Sequence, residues 1–198
     1  TMTLPTHTTQ LQAVNTILSV FGSAPVNSIT PPYTSDVAMA LNILEESLKE
    51  VQSEGWYFQR EYNVQYTADT DGEIAVPADL MSLDHAYRNV VVRDGKVYDL
   101  ERQTFDVGDL KLDVVRWVDF DLMPESARRY VVAKASRKFF ERRTDHSERV
   151  TALYREETLA KTQLMYEESE TSDATIFDSR VAYQIVMRPS VLAGMGPR

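Results

Sequence analysis

Residues 37–66 read VAMALNILEESLKEVQSEGWYFQREYNVQY, and one change of period inside that stretch decides the fold. Up to Val51 the apolar residues Val37, Leu41, Leu44, Leu48 and Val51 alternate steps of four and three, the spacing of a helix packed on other helices. Ser35 or Asp36 can cap its start, and Gly55 ends it. From Trp56 onward the pattern changes: Tyr57 to Tyr66 is rich in aromatic and β-branched residues, a strand composition.

Working outward toward residue 1, Leu11, Val14, Ile17, Leu18 and Phe21 predict a short amphipathic helix over 9–21. Thr8 or Thr9 would cap it, Gly22 and Pro25 would stop it, and Pro31-Pro32 would stiffen the linker that follows. In the other direction, Thr70-Asp71-Gly72 makes a turn before the short run Ile74-Ala75-Val76. Val90 to Tyr98, broken at Asp94-Gly95, carries a strong hairpin signal. Leu110, Leu112 and Val114 alternate with Lys111 and Asp113, as in a strand with one wet face.

Pro124 then sits where a first helical residue would, with Glu125 beside it, and Ala127, Val131, Ala135 and Phe139 carry a third helix to about Arg143. A fourth, capped by Asp145 or Ser147, runs to about Glu170 on the stripe Val150, Leu153, Ala160, Leu164, which Glu157 interrupts. Beyond Thr171 the periodicity is lost. The order predicts an α+β fold: a four-helix layer interrupted by an inserted small antiparallel β subdomain, with an extended C-terminal arm. Its parts are 1–56 (N-terminal helical part), 57–122 (inserted β subdomain), 123–171 (helix pair completing the helical domain) and 172–198 (arm).

The 198 residues suit one domain with an insert, and the absence of Cys excludes disulfides, a thiol nucleophile and Cys-ligated zinc. No apolar run reaches the roughly 18 residues of a membrane span, and no secretory signal pattern is expected. The net charge of −9 argues against a protein that lives by gripping phosphates. That charge is uneven: −3 over 1–60, −8 over 61–123, +5 over 124–143, −5 over 144–173 and +2 over 174–198.

His7, His85 and His146 are scattered and lack metal-site spacing, so no metal or cofactor is expected. Nucleophile-elbow, phosphate-loop and dinucleotide motifs are missing. Asp119, Asp121 and Glu125 cluster at the join between β region and third helix, and a carboxylate pair across a sugar cleft would be a glycan hydrolase's machinery. Acidic residues at a helix start are more often electrostatic. The third helix is basic, carrying Arg128, Arg129, Lys134, Arg137, Lys138, Arg142 and Arg143, and the fourth offers Glu156, Glu157, Glu167, Glu168 and Glu170. Complementary stripes of this kind favour pairing, within the chain or between copies, over the nucleic-acid face that basic residues interleaved with Tyr130, Phe139 and Phe140 could also make.

These segments resemble tail tubular protein A, the adaptor-ring family of short-tailed bacteriophages. The matching stretches are Ala13-Val14-Asn15-Thr16-Ile17-Leu18 with Gly22 and Pro25-Val26, Asp36-Val37-Ala38 leading to Ile43-Leu44, Gln52 to Phe58, and Val97-Tyr98-Asp99. The strongest run is Asp119 to Glu125, continued by Ala133 to Phe139. The resemblance implies a virion tail protein, assembled in the host cytoplasm, that is structural rather than enzymatic and needs no cofactor. It further implies a twelve-fold homo-oligomeric ring between the capsid portal and the tail nozzle (tail tubular protein B), offering a tail-fibre surface. Genomic DNA would pass through that ring without specific binding.

A closed ring needs two different patches that meet between neighbours. The expected contact residues are Arg128, Arg129, Lys134, Arg137, Lys138 and Arg142 against Glu156, Glu157, Glu167 and Glu168. An acidic lumen would repel DNA and let it slide. The alternative reading is a glycan-degrading hydrolase of the host surface, resting on Asp119, Asp121 and Glu125.

Overall fold

The computed structural model describes residues 7–144 and 146–176. Their chain order is α1 (Gln10–Ser19), α2 (Ser35–Gln52), β1 (Arg60–Tyr66), β2 (Leu80–Asp84), β3 (Val90–Arg93), β4 (Lys96–Asp99), β5 (Leu110–Arg116), α3 (Glu125–Glu141) and α4 (Ser147–Ile176). The class is α+β, as expected. Two single turns of 3-10 helix, Tyr57–Gln59 and Phe120–Leu122, stand where the chain enters and leaves the β region.

Thr9 caps α1 reciprocally: its hydroxyl accepts the Gln12 amide at 3.3 Å, and the Gln12 side chain accepts the Thr9 amide at 2.9 Å. The cap of α2 is Thr34, one residue before the expected Ser35 or Asp36, and its hydroxyl accepts the Val37 amide. Pro124 stands just outside α3 with extended ψ, not at its first turn, since it has no amide to satisfy there and fixes only φ. Helix α4 starts at Ser147, with the His146 carbonyl receiving the Val150 amide, and runs past the expected Glu170 to Ile176. Asp145, the other expected cap, lies outside the described residues. So does the arm expected over 172–198, from residue 177 on.

Helix α3 lies at the middle of the helical layer, against α1, α2 and α4. Its expected stripe Ala127, Val131, Ala135 and Phe139 is wholly buried, and Ile17, Leu18, Ile43, Leu44, Val51 and Leu164 close over it. Burying a Leu- or Phe-sized side chain contributes about 1.5–3 kcal/mol, so this layer holds most of the driving force.

The β region makes a three-stranded antiparallel sheet in the order β1-β5-β2 and a separate β3–β4 hairpin. In the hairpin Asp94 and Gly95 take φ +52° and +70°, the pair of positive values that a two-residue turn of matching twist requires. Ile74-Ala75-Val76 is not a strand: it makes one bridge, Ala75 to Lys96, and buries Ile74 in a second core with Val97, Val107, Leu110, Leu112 and Val114. Strand β2 was unforeseen. It pairs only with β5, at the sheet edge, and its exposure does not alternate, so it leaves no period in the sequence.

The two cores meet through buried glutamines. Gln52 donates to the Val118 carbonyl at 2.7 Å and accepts the Val118 amide at 2.8 Å. Gln59 donates to Gln52 at 3.1 Å and to the Arg116 carbonyl at 3.2 Å, while its oxygen accepts the Trp56 amide. The end of α2 is thereby tied to the end of β5.

Candidate interaction surfaces

The basic side chains of α3 are distributed by depth. Arg128 is buried and donates to three backbone carbonyls: Met123 and Thr8 at 2.8 Å and Asp121 at 2.6 Å. It holds the chain's entry into α3 and has no carboxylate partner among the described residues. Arg137 is half-buried between Glu157 of α4 and Glu141 of its own helix. Its hydrogen bond to Glu157 pushes the guanidinium well above its ordinary range. The Glu157 that breaks the apolar stripe of α4 is thus a buried ion-pair partner.

Four other cations face α2, which the sequence pattern did not single out as their partner. Lys134 lies 3.1 Å from Glu50, Lys138 bridges Glu46 and Glu50, Arg142 reaches Glu46 at 2.7 Å, and Arg143 pairs with Asp36. Hydrogen bonds from Lys138 and Arg142 hold the Glu46 carboxyl below its usual range. Burial pushes the Glu50 carboxyl up, but Lys138 and Lys134 outweigh it and the net direction is down. The Arg143 guanidinium also stacks over Phe21 and Phe139, 4.8 and 4.9 Å from their ring centres.

Glu167 and Glu168 of α4 turn elsewhere. Glu168 accepts the Tyr57 amide at 2.8 Å and pairs with Arg60 at 2.9 Å, while Glu167 accepts from Ser126 and the Tyr57 hydroxyl. Desolvation and the Glu167 charge push the Tyr57 phenol up to about 12. Two of the ten expected contact residues, Arg129 and Glu156, are exposed at the α1–α3–α4 side. Arg129 pairs at 3.2 Å with Glu125, one turn back. Both line a shallow cavity of about 250 Å³ with Thr16, Val20, Val132 and Ser136. The Ser136 hydroxyl is buried there without a hydrogen-bond partner among the described residues.

The three carboxylates of the hydrolase reading do not converge. Glu125 accepts the Thr8 amide at 2.8 Å and its hydroxyl at 2.7 Å. Burial raises its carboxyl, yet the Thr8 bonds and Arg129 hold it below the usual range, opposite to what a general acid needs. Asp121 is exposed and contributes a backbone carbonyl to Arg128. Asp119 accepts from the Trp117 indole at 3.3 Å and lines a groove of about 360 Å³ at the joint of helices and sheet. Phe58, Trp117, Val118 and Leu122 give that groove its apolar walls, and Glu61, Asp79 and Asp119 its acidic rim. Arg116 bridges Glu61 at 2.8 Å and Asp79 at 3.1 Å.

His85 receives the Tyr87 and Arg88 amides on Nδ1 and so holds the β2–β3 loop. Among the described residues no group of three His, Asp or Glu is placed to hold a metal ion, and no helix is long and apolar enough to cross a membrane. A family model described as tail tubular protein matches residues 11–174. Comparison with curated proteins gives no match.

Proposed function

The chain belongs to the tail tubular protein family and is therefore a structural component of a phage tail, and within that family we propose that it is the adaptor: several copies, twelve by resemblance, form a ring between the capsid portal and the tail nozzle. Genomic DNA passes through the ring, and its outer surface supports tail fibres. The family match over residues 11–174 carries this reading, because it takes in the helical layer and the β region together. The helical layer is the ring-building part. Its packing around α3 leaves two different sides, the α1–α3–α4 side that carries Arg129 and Glu156 and the side of α2, which suits a heterologous contact.

Among the ten charged contact residues proposed, Arg129 and Glu156 take the direct part, since the fold leaves them exposed beside an apolar cavity. Arg128, Lys134, Arg137, Lys138, Arg142, Glu157, Glu167 and Glu168 fix the helices that present them. Charge at such a contact sets orientation and partner choice more than affinity. The β region faces the nozzle and fibre side, and its excess acid keeps DNA phosphates from adhering.

Sedimentation velocity of a mixture with the portal protein tests the reading. The chain should co-sediment with the portal, and reversal of Arg129 and Glu156 one at a time should weaken this without unfolding the chain. Separate boundaries at every mixing ratio would overturn it.

A further inference from the structure

Two exposed faces of the molecule carry no charge: the loop between α1 and α2, and one stretch of α4. Lys, Arg, Asp and Glu make up 26% of the chain, yet none occurs in residues 1–35. The loop lies within that stretch and is mostly exposed from Phe21 to Thr34. It is held in one shape by its own side chains. Asn15 donates to the Val26 carbonyl at 2.9 Å and accepts the Val26 amide at 2.8 Å. Ser28 accepts the Thr30 amide at 3.1 Å, and Ser23 donates to Asp36 at the same distance. The loop frames a shallow groove of about 430 Å³ whose lining, with Pro25, Val26, Tyr33 and Val37, is wholly uncharged. Phe21 and Tyr33 stay 45% and 44% exposed.

On α4, the exposed positions between Glu157 and Glu167 are Thr158, Leu159, Thr162, Gln163, Met165 and Tyr166, and none is charged. Leu159 and Tyr166 are 71% and 60% exposed. With Thr162 they stand at steps of three and four, so they share one side of the helix, while Leu153, Glu157 and Leu164 occupy the buried side.

Charge is depleted where a protein contact is driest, and large apolar groups left open to solvent mark such contacts. A charge brought against either face would lose its water without gaining a partner, so the fitting occupant of each is uncharged and apolar. Each face is what the other requires. They belong to different elements, since α4 packs on α3 while the loop joins α1 to α2, so one copy can offer the first and its neighbour the second. One contact between copies then covers both faces, where an unrelated partner would cover only one. Glu156 stands three residues before Leu159, so the α4 strip continues the side that carries Arg129 and Glu156.

We propose that the α4 strip of Leu159, Thr162 and Tyr166 seats on the α1–α2 loop of a second copy of this chain, against Pro25 and Tyr33. The proposal rests on the ring reading, because a closed ring is what needs two unlike faces on every copy. It supplies the apolar part of the contact that Arg129 and Glu156 orient.

The chain has no Cys, so introduced thiols are its only ones. A short bismaleimide is added to an equal mixture of Leu159→Cys and Tyr33→Cys chains, alone and with the portal protein, and the dimers are resolved by intact mass. Dimers of unlike variants should exceed either like dimer about tenfold, against about twofold for random collision. Both substitutions in one chain should give a ladder beyond the dimer. Adding Tyr166→Asp to the Leu159→Cys chain should lower the unlike dimer about tenfold with circular dichroism unchanged. Unlike dimers absent or at the random share in both samples would overturn the proposal. So would a dominant dimer of Leu159→Cys with itself, which marks a two-fold contact. Co-sedimentation with the portal but random cross-linking removes this contact and leaves the adaptor reading; preferential cross-linking without portal binding does the reverse.

Discussion

In the helical layer five cations of α3 join helix to helix, whereas in the β region four aspartates hold backbone amides. Lys134, Lys138, Arg142 and Arg143 reach across from α3 to Asp36, Glu46 and Glu50 of α2, and Arg137 reaches Glu157 of α4. In the β region Asp69 accepts the amides of Asp71 and Glu73, and buried Asp99 those of Glu101 and Arg102. Asp109 and Asp113 likewise receive the Ala68 and Asn63 amides. The difference follows from strand length. Short strands bury few side chains and leave many loop amides to satisfy, which small carboxylates do well. So the −8 of residues 61–123 is in part the cost of building loops, and the acid left over is what a DNA channel would feel.

The comparison breaks most readily at the helical core. Phe139→Ala should cost about 3–5 kcal/mol and lower the whole thermal transition seen by circular dichroism. A loss below about 1 kcal/mol would mean that α3 is not the centre of the layer. Next in size, Arg137→Gln should cost about 2–3 kcal/mol by stranding buried Glu157, between the values for exposed and buried pairs because Arg137 itself is half-buried. The double variant Arg137→Leu, Glu157→Leu should recover much of it. A double variant as unstable as the single one would show that the pair is not what holds α3 to α4.

At the joint, Gln52→Leu keeps the side-chain volume but leaves the Val118 amide and carbonyl without partners. It should cost about 1–3 kcal/mol. Its sharper signature is hydrogen exchange: amides of β1 and β5 should exchange faster while those of α1 and α3 stay protected. Equal acceleration in both regions would show that they unfold as one unit.

The smallest effects per group are those of pH. Asp36, Glu46, Glu50, Asp69 and Glu125 are held below the ordinary carboxylate range by their partners. Their contribution is complete above that range and is lost as pH falls through their depressed values. At the alkaline end the Tyr57 and Tyr130 phenols, pushed up to about 12 chiefly by desolvation, favour the folded chain below pH 10 and lose that effect between about 10 and 12. Denaturant midpoints across pH check both signs; a midpoint that rises on acidification would contradict the first.

Much of this layout is legible in the residues, and what is not has physical causes. The stripe of α2 and the Asp94-Gly95 hairpin stand out because each imposes a period or a positive φ that few residues permit. Strand β2 stays hidden because an edge strand with little burial needs no alternation. The partner of the basic helix is not legible either. A stripe of cations shows that acid lies opposite it, but not whether α2 or α4 supplies the acid. Gln52 and Gln59 look like surface residues until their amides are seen to close the joint. The carboxylates Asp119, Asp121 and Glu125 fall within seven residues of sequence and are open to a catalytic reading. In space a helix start and a 3-10 turn send them to different tasks.

Electron microscopy of the chain mixed with its portal tests the central claim most directly. The account predicts a ring of density stacked on the portal, with the channel continuous through both and the helical layer forming the wall. A portal free of added density while the chain remains folded in solution would contradict it.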